Sequence, residues 1–439
     1  MARITKGLLL GALSVLLIVY GALPAGAADE ERQQRNNIFI SSDAEFNPAN
    51  GVRSGSGTPS DPYVISGWQV SSIQLKDTSA AVLIKDNSIT NQLVLNWNGG
   101  RVTVVDNQVG DLRVNQNVKR TGEPTSGLIA RNTFGVVGQL RHFDGVFEEN
   151  TITGNRQGFQ IPFFENGQSV NFDGFNGSRF RNNKITGFVT MRLHGHHHSS
   201  GFNEESHYHG AGEHHEVGML DHSKRYHRVF FTNNVITSPG PYALNYVDTA
   251  HSANDRTAAS ETNEELNKPH VHYTKVHMNN NRLIGSGLYV NIFNSDDDHH
   301  TGTATGLLDI RNNKIEFVQE DDADPFAYEE PAGISIYRAN DVHMMIAGNT
   351  VTRKDERMDP LGGQEVPFMG AEELAGIRLY DVKNANIHIA RNSVASTDYG
   401  VWAHEMPETT HWWIHDLTVT SVLQDVFWDN TVTNAPHRN

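Results

Sequence analysis

Gly376-Ile377-Arg378-Leu379-Tyr380 is followed, 16 residues after its glycine, by Asn392, and Gly333-Ile334-Ser335-Ile336-Tyr337 is followed at the same distance by Asn349. Each copy is an apolar-x-apolar run leading to an asparagine that is itself framed by apolar residues. Alternating side chains point to opposite faces of a strand. Ile334, Ile336, Ile377 and Leu379 are therefore expected in a core, with Ser335, Tyr337, Arg378 and Tyr380 facing out.

Outward from these copies, the frame apolar-x-x-Asn-x-apolar recurs around Asn87, Asn107, Asn132, Asn150, Asn183, Asn234, Asn281, Asn313, Asn349, Asn392 and, with Phe427 and Val432, Asn430. The closest anchors, Asn132 and Asn150, are 18 residues apart. That is too little chain for a strand-helix-strand crossover, so the strands must coil directly onto one another. Asparagine accepts left-handed dihedrals at a bend and can bond its counterpart one coil away. Coils stacked about 4.8 Å apart would align these amides in a column. The expected fold is an all-β, right-handed single-stranded parallel β-helix with loop insertions at one corner.

On these repeats the chain resembles the right-handed β-helix repeat family, from about Ile38 to Val432, including the opening segment Gly57-Thr58-Pro59-Ser60-Asp61-Pro62-Tyr63-Val64-Ile65. That group includes pectate-lyase-like enzymes and periplasmic copper-binding proteins. The resemblance implies the coil architecture. Activity is left open, because such coils carry lyases, hydrolases, epimerases, adhesins and metal-handling proteins alike.

Residues 1–27 read as an export signal: Arg3 and Lys6, an apolar run from Leu8 to Leu23, and Ala25-Gly26-Ala27 for cleavage. Residues 28–56 read as lead-in and cap, 57–432 as the β-helix and 433–439 as a tail. No second apolar span follows, so the expected location is secreted, periplasmic or cell-surface, with no transmembrane span after signal removal. Without the signal, 33 basic residues face 51 acidic ones, a formal charge of -18 from the 35 and 51 of the whole chain. That field disfavours nucleic acid, which needs clustered Lys and Arg. The chain has no cysteine, which excludes disulfides, thiolate metal sites and a cysteine nucleophile.

Function on a solenoid resides on outward side chains and on insertions. Anchor spacing rises to 51 before Asn234 and 47 before Asn281. Insertions are expected at 194–226, 248–269, 295–305, 353–374 and 404–415, all but 353–374 leaving one corner and so building a wall along one edge. Ten of the 23 histidines lie between His194 and His227. Imidazole and carboxylate suit Zn or Cu, and the candidate metal ligands are His194, His196, His198, His207, His209, His214, His215, Glu216, His222, Asp296 and Asp298. Calcium is the alternative at the acidic loop. A solvated polar loop is the plainer reading, since no strict zinc spacing such as His-Glu-x-x-His is present.

Two other readings use the same wall. Stacked outward residues Tyr337, Tyr380, Arg378, Trp402 and His404 would suit an extracellular polysaccharide or another cell-envelope component, although aromatic ladders also simply stabilise sheet faces. A polysaccharide lyase, hydrolase or epimerase needs an acid, a base and a charge clamp, for which Lys224, Tyr226, Arg338 and Arg378 are candidates. His194-Gly195-His196 precedes the Asp296 to Asp298 run, the reverse of the order in polygalacturonase-like hydrolases. A non-catalytic structural or adhesion protein of the cell surface is the remaining alternative.

Overall fold

A computed structural model describes residues 32–96, 98–115, 126–141, 143–154, 168–173, 178–194, 226–238, 242–250, 272–294, 304–318, 332–340, 342–354, 374–428 and 436–438. Apart from two 3-10 turns, the named elements in these residues are strands, and every paired strand runs parallel to its partner. One sheet has 13 strands, from Tyr63–Ser66 to His437–Arg438, and we call it the first ladder. A second sheet of 22 strands forks. In the early coils its strands, such as Trp68–Lys76 and Thr133–Arg141, run nine residues across two faces. Later coils divide into a second ladder of short strands, such as Lys184–Thr186 and Thr350–Arg353, and a third ladder holding Phe188–His194, Tyr242–Ala250, Gly287–Asn294, Ala332–Asn340, Ala375–Lys383 and Tyr399–His404. Parallel crossovers of L-residues are right-handed. The chain is a right-handed parallel β-helix.

The core lies inside the coil. Ile334, Ile336, Ile377 and Leu379 are fully buried there, as the alternation requires. Phe134, Phe147, Phe180 and Phe231 stack through successive coils with ring centroids 5.9 to 6.3 Å apart. The lead-in already contributes a rung: Ile38–Ile40 pairs with Ile73 to Leu75, and the 3-10 turns Asp43–Glu45 and Pro48–Asn50 follow it, with Phe46 and Val52 buried beside them.

The asparagine column is present from Asn87 to Asn392, where the first ladder turns into the second. Each buried amide nitrogen donates to the Oδ1 of the next, as Asn87 does to Asn107 at 3.0 Å and Asn349 to Asn392 at 2.9 Å. It also donates to a backbone carbonyl of the coil before, as Asn107 does to Ile84. The left-handed residue is not the asparagine but its predecessor: Asp86, Asp106, Arg131, Glu149, Asn182, Asn233, Asn280, Asn312 and Arg391 all have φ between 53° and 59°, with Gly348 at 65°. Turning the chain one residue early sends the asparagine side chain inward, into reach of the adjacent coils. This accounts for the doublets at 182–183, 233–234, 280–281 and 312–313, because asparagine is among the few residues that tolerate this conformation.

Asn430 of the eleventh frame lies outside the described residues, and the frame's first position does not match the others. Phe427 lies on Gln424–Trp428 in the third ladder, opposite Trp402. The matching turn instead uses Ile414, Asp416 at φ 51°, Leu417 and Val419. A three-point frame this short recurs by coincidence, and only the ladder register separates the cases. The stretch 404–415, expected as an insertion, is strand at its far end: His411–His415 is a rung of the first ladder, with Trp412 fully buried.

Candidate functional site on the third ladder

The corner expected to carry the insertions is real in the topology. Phe188–His194, Tyr242–Ala250 and Gly287–Asn294 are consecutive rungs of the third ladder, and the strands after them, Tyr226–Thr232, His272–Asn279 and Ala304–Arg311, are consecutive rungs of the first. Three connecting segments thus leave one corner on adjacent coils. The segment after Thr350–Arg353 leaves the other end of the third ladder, before Ala375–Lys383. His196, His198, His207, His209, His214, His215, Glu216, His222, Lys224, Asp296 and Asp298 fall outside the described residues, as does the signal at 1–27. His194 closes one strand and Tyr226 opens the next; their side chains also lie outside the description. Among the described residues no group of three His, Asp or Glu side chains is placed to hold a metal ion.

The described part of this edge is the outer face of the third ladder. Register aligns two rows of outward residues. One runs Thr190, Asn245, Tyr289, Ser335, Arg378, Trp402; the other runs Val247, Asn291, Tyr337, Tyr380, His404. In the N-terminal coils the first row holds Gln74, Val94 and Arg113, all partly solvent-exposed. Further along it is withdrawn from water although it points away from the core: Tyr289 is 3% exposed, Ser335 4%, Arg378 5% and Trp402 5%. Trp402 packs with Ala332 and Ala375 in a small apolar cluster separate from the main core. The change in character begins at the coils where the insertions begin.

The second row is aromatic and only half-buried in Tyr337, Tyr380 and His404. Tyr337 and Tyr380 stack at 4.9 Å and 9°, and Tyr380 and His404 at 5.1 Å and 17°. Their ring faces are therefore occupied by one another, and only the edges reach outward. The flat platform for sugar rings expected from the sequence is in this row a stack seen edge-on, of the kind that supports parallel sheet faces.

The residue directly after each stacked ring is left-handed: Arg338, Asp381 and Glu405, with φ of 50°, 49° and 52°. These corner residues were not picked out from the sequence as a group, because they differ in charge and only Arg338 and Asp381 follow copies of one motif. Asp381 receives Lys383 at 2.9 Å and Arg338 at 4.0 Å, and Glu405 lies 3.4 Å from His404 Nε2. Burial, and then the negative charge of Glu405, push the Tyr380 hydroxyl above the ordinary tyrosine range, and Tyr380 also hydrogen-bonds Glu405. Tyr380 therefore stays neutral to higher pH than an exposed tyrosine. Arg378, expected outside as a clamp, is on the outer face but buried, its guanidinium 4.5 Å from the Trp402 ring and 5.6 Å from that of Tyr380.

No family model and no curated protein matches the chain. A solved structure does. The A-module of mannuronan C-5 epimerase AlgE4 from Azotobacter vinelandii matches over 93% of this chain and 90% of that one, at 12% identity and a TM-score of 0.30. A likeness of that degree carries no argument, and the fold stands on the hydrogen-bonded ladders.

Proposed function

We propose that the protein binds an extracellular polysaccharide along the outer face of the third ladder, with residues 1–27 directing its export. The supporting observation is the polar and aromatic row from Thr190 to Trp402, buried at every position but Asn245, which faces away from the core on the coils that carry the insertions. A row of this kind offers hydrogen-bonding groups at spacings of about 4.8 Å along the axis, the repeat of the coil itself. Half-buried Tyr337, Tyr380 and His404 border it, and the corner charges Arg338, Asp381 and Glu405 close its side. Affinity electrophoresis of the mature protein in gels containing neutral or uronate polysaccharides tests this: retardation by at least one polymer is expected, and migration unchanged in all of them ends the proposal. Tyr380, whose hydroxyl is pushed further above neutral pH by burial and Glu405, is suited to hydrogen bonding a glycan hydroxyl and not to acid catalysis. The appearance of an ultraviolet-absorbing unsaturated uronate would mark a lyase.

A second reading is divalent metal binding by the histidine-rich insertion. It is favoured by the three segments that leave one corner on adjacent coils, each of which carries histidines and acids in its sequence. Zn or Cu suits the donors, and Ca the Asp296 to Asp298 run. Titration of untagged protein with Zn or Cu is expected to lose stoichiometric binding on deletion of 196–222. Unchanged stoichiometry and affinity would end this reading.

A further inference from the structure

We propose that the outer face of the third ladder is a directional track, in which Asn245 of the first row and Asn291 of the second accept hydroxyl hydrogens of a glycan and Trp402 donates its indole N–H to an acceptor oxygen further along the same chain. The inference rests on the glycan reading above and specifies which atoms recognise the ligand.

Among the described residues, Asn245 Oδ1, Asn291 Oδ1 and Trp402 Nε1 on this face are shielded from water and have no hydrogen-bond partner. Asn291 is 7% exposed and Trp402 5%. The Asn291 amide nitrogen is used, donating to the Tyr289 hydroxyl at 3.3 Å, so only its oxygen remains unmatched. Leaving such groups unpaired at depth costs stability, and native proteins keep few of them. The asparagine column inside the same coils shows the contrast, since its amides are paired both to a backbone carbonyl of the coil before and to the next Oδ1. Unpaired amides on the outer face of the same molecule therefore call for a ligand.

Chemistry fixes what that ligand offers. An amide oxygen only accepts and an indole N–H only donates. The two acceptors sit on adjacent strands, Tyr242–Ala250 and Gly287–Asn294, and the donor on Tyr399–His404. From the first acceptor to the donor is four coil steps, about 19 Å at ~4.8 Å per step. The Arg378 guanidinium lies over the Trp402 ring, so positive charge is concentrated at the donor end. A matching molecule is extended, carries O–H groups at one end and presents an acyl, ring or carboxylate oxygen at the other. A polyhydroxylated glycan chain meets all three demands; a bare metal ion meets none of them.

The test uses the mature chain and three variants that remove one unmatched atom while keeping bulk: Asn245→Leu, Asn291→Leu and Trp402→Phe. Xylan, dextran and alginate serve as probes in affinity electrophoresis, with thermal unfolding followed in parallel. Each variant is expected to bind the retained polymer roughly five- to tenfold more weakly, the loss of about one hydrogen bond, while its melting temperature is unchanged or higher because a buried unpaired group is gone. Trp402→Phe leaves the apolar cluster filled and reports even where an asparagine variant does not fold. Unaltered affinity in all three variants means that these atoms hold only structural water, which overturns the track and leaves the glycan reading standing. No binding of any probe by the unaltered protein overturns both.

Discussion

At the scale of single residues, the hydroxyl of Tyr380 is the group whose environment most clearly alters its chemistry. Its neutral form is favoured by burial and by the nearby Glu405 carboxylate. A folded-state value above the unfolded one means that the associated stability is complete below the ordinary tyrosine range and is lost as pH rises through the folded value. Melting temperatures of the native protein are expected to fall as pH rises above about 10, the ordinary tyrosine value, and Tyr380→Phe is expected to flatten that alkaline limb without loss of stability at pH 7. An unchanged limb would show that Tyr380 does not set it. The same hydrogen bond to Glu405 fixes the phenol edge beside His404, so the residue that supports the stack also orients the polar corner.

At the scale of elements, Gly333 and Gly376 begin equivalent strands where the coil interior has no room. A Cβ on Gly376 would lie 2.2 Å from Val394 Cγ1, and one on Gly333 2.1 Å from Val351 Cγ1. Gly376→Ala is expected to destabilise the protein by roughly 1–3 kcal/mol through overpacking, read by chemical denaturation; Val394→Ala in the same chain should recover part of the loss. The strands themselves were legible in the sequence, because Ile377 and Leu379 or Ile334 and Ile336 must alternate to share one core, and a period of two is a local property. Two things were not local. The turn residue was assigned to the asparagine, while Asp86, Asp106 and their equivalents take the strained dihedral. And burial of Ser335, Arg378 and Trp402 on the outer face does not follow from alternation, which predicts only direction. Asn245 and Asn291 escaped notice for the same reason: neither repeats along the chain, and their unmatched oxygens are visible only once the coils are stacked.

On the scale of the whole molecule, stability is distributed coil by coil, each coil gripping only its neighbours. The internal column ends at Asn392, because the next equivalent position is Leu417, which has no amide. The last coil is thereby held by backbone pairing and by the packing of Trp412, Ile414, Leu417, Val419 and Val426, with no amide rung. Leu417→Asn is expected to extend the column by one rung, contributing about 1 kcal/mol for the added pairing, and hydrogen exchange should show slower exchange at Asn392 and Ser393. Faster exchange there would mean that the lost leucine packing outweighs the gained amide contact.

Within that column every side chain accepts from the coil before it and every one but Asn392 donates to the coil after it, starting from the Trp68 N–H that enters Asn87. Ten amide dipoles consequently point the same way, and their partial charges cancel everywhere except at the two ends, as in an α-helix. The amino-terminal end is then electronegative and the carboxy-terminal end electropositive. The guanidinium groups of Arg53 and Arg35 lie 3.5 and 5.2 Å from the Trp68 ring at the first end, and Asp416 precedes Leu417 at the other. Charges of the compensating sign thus occupy both poles, so the solenoid has an electrical polarity built into its axis that any partner stacking end to end would encounter.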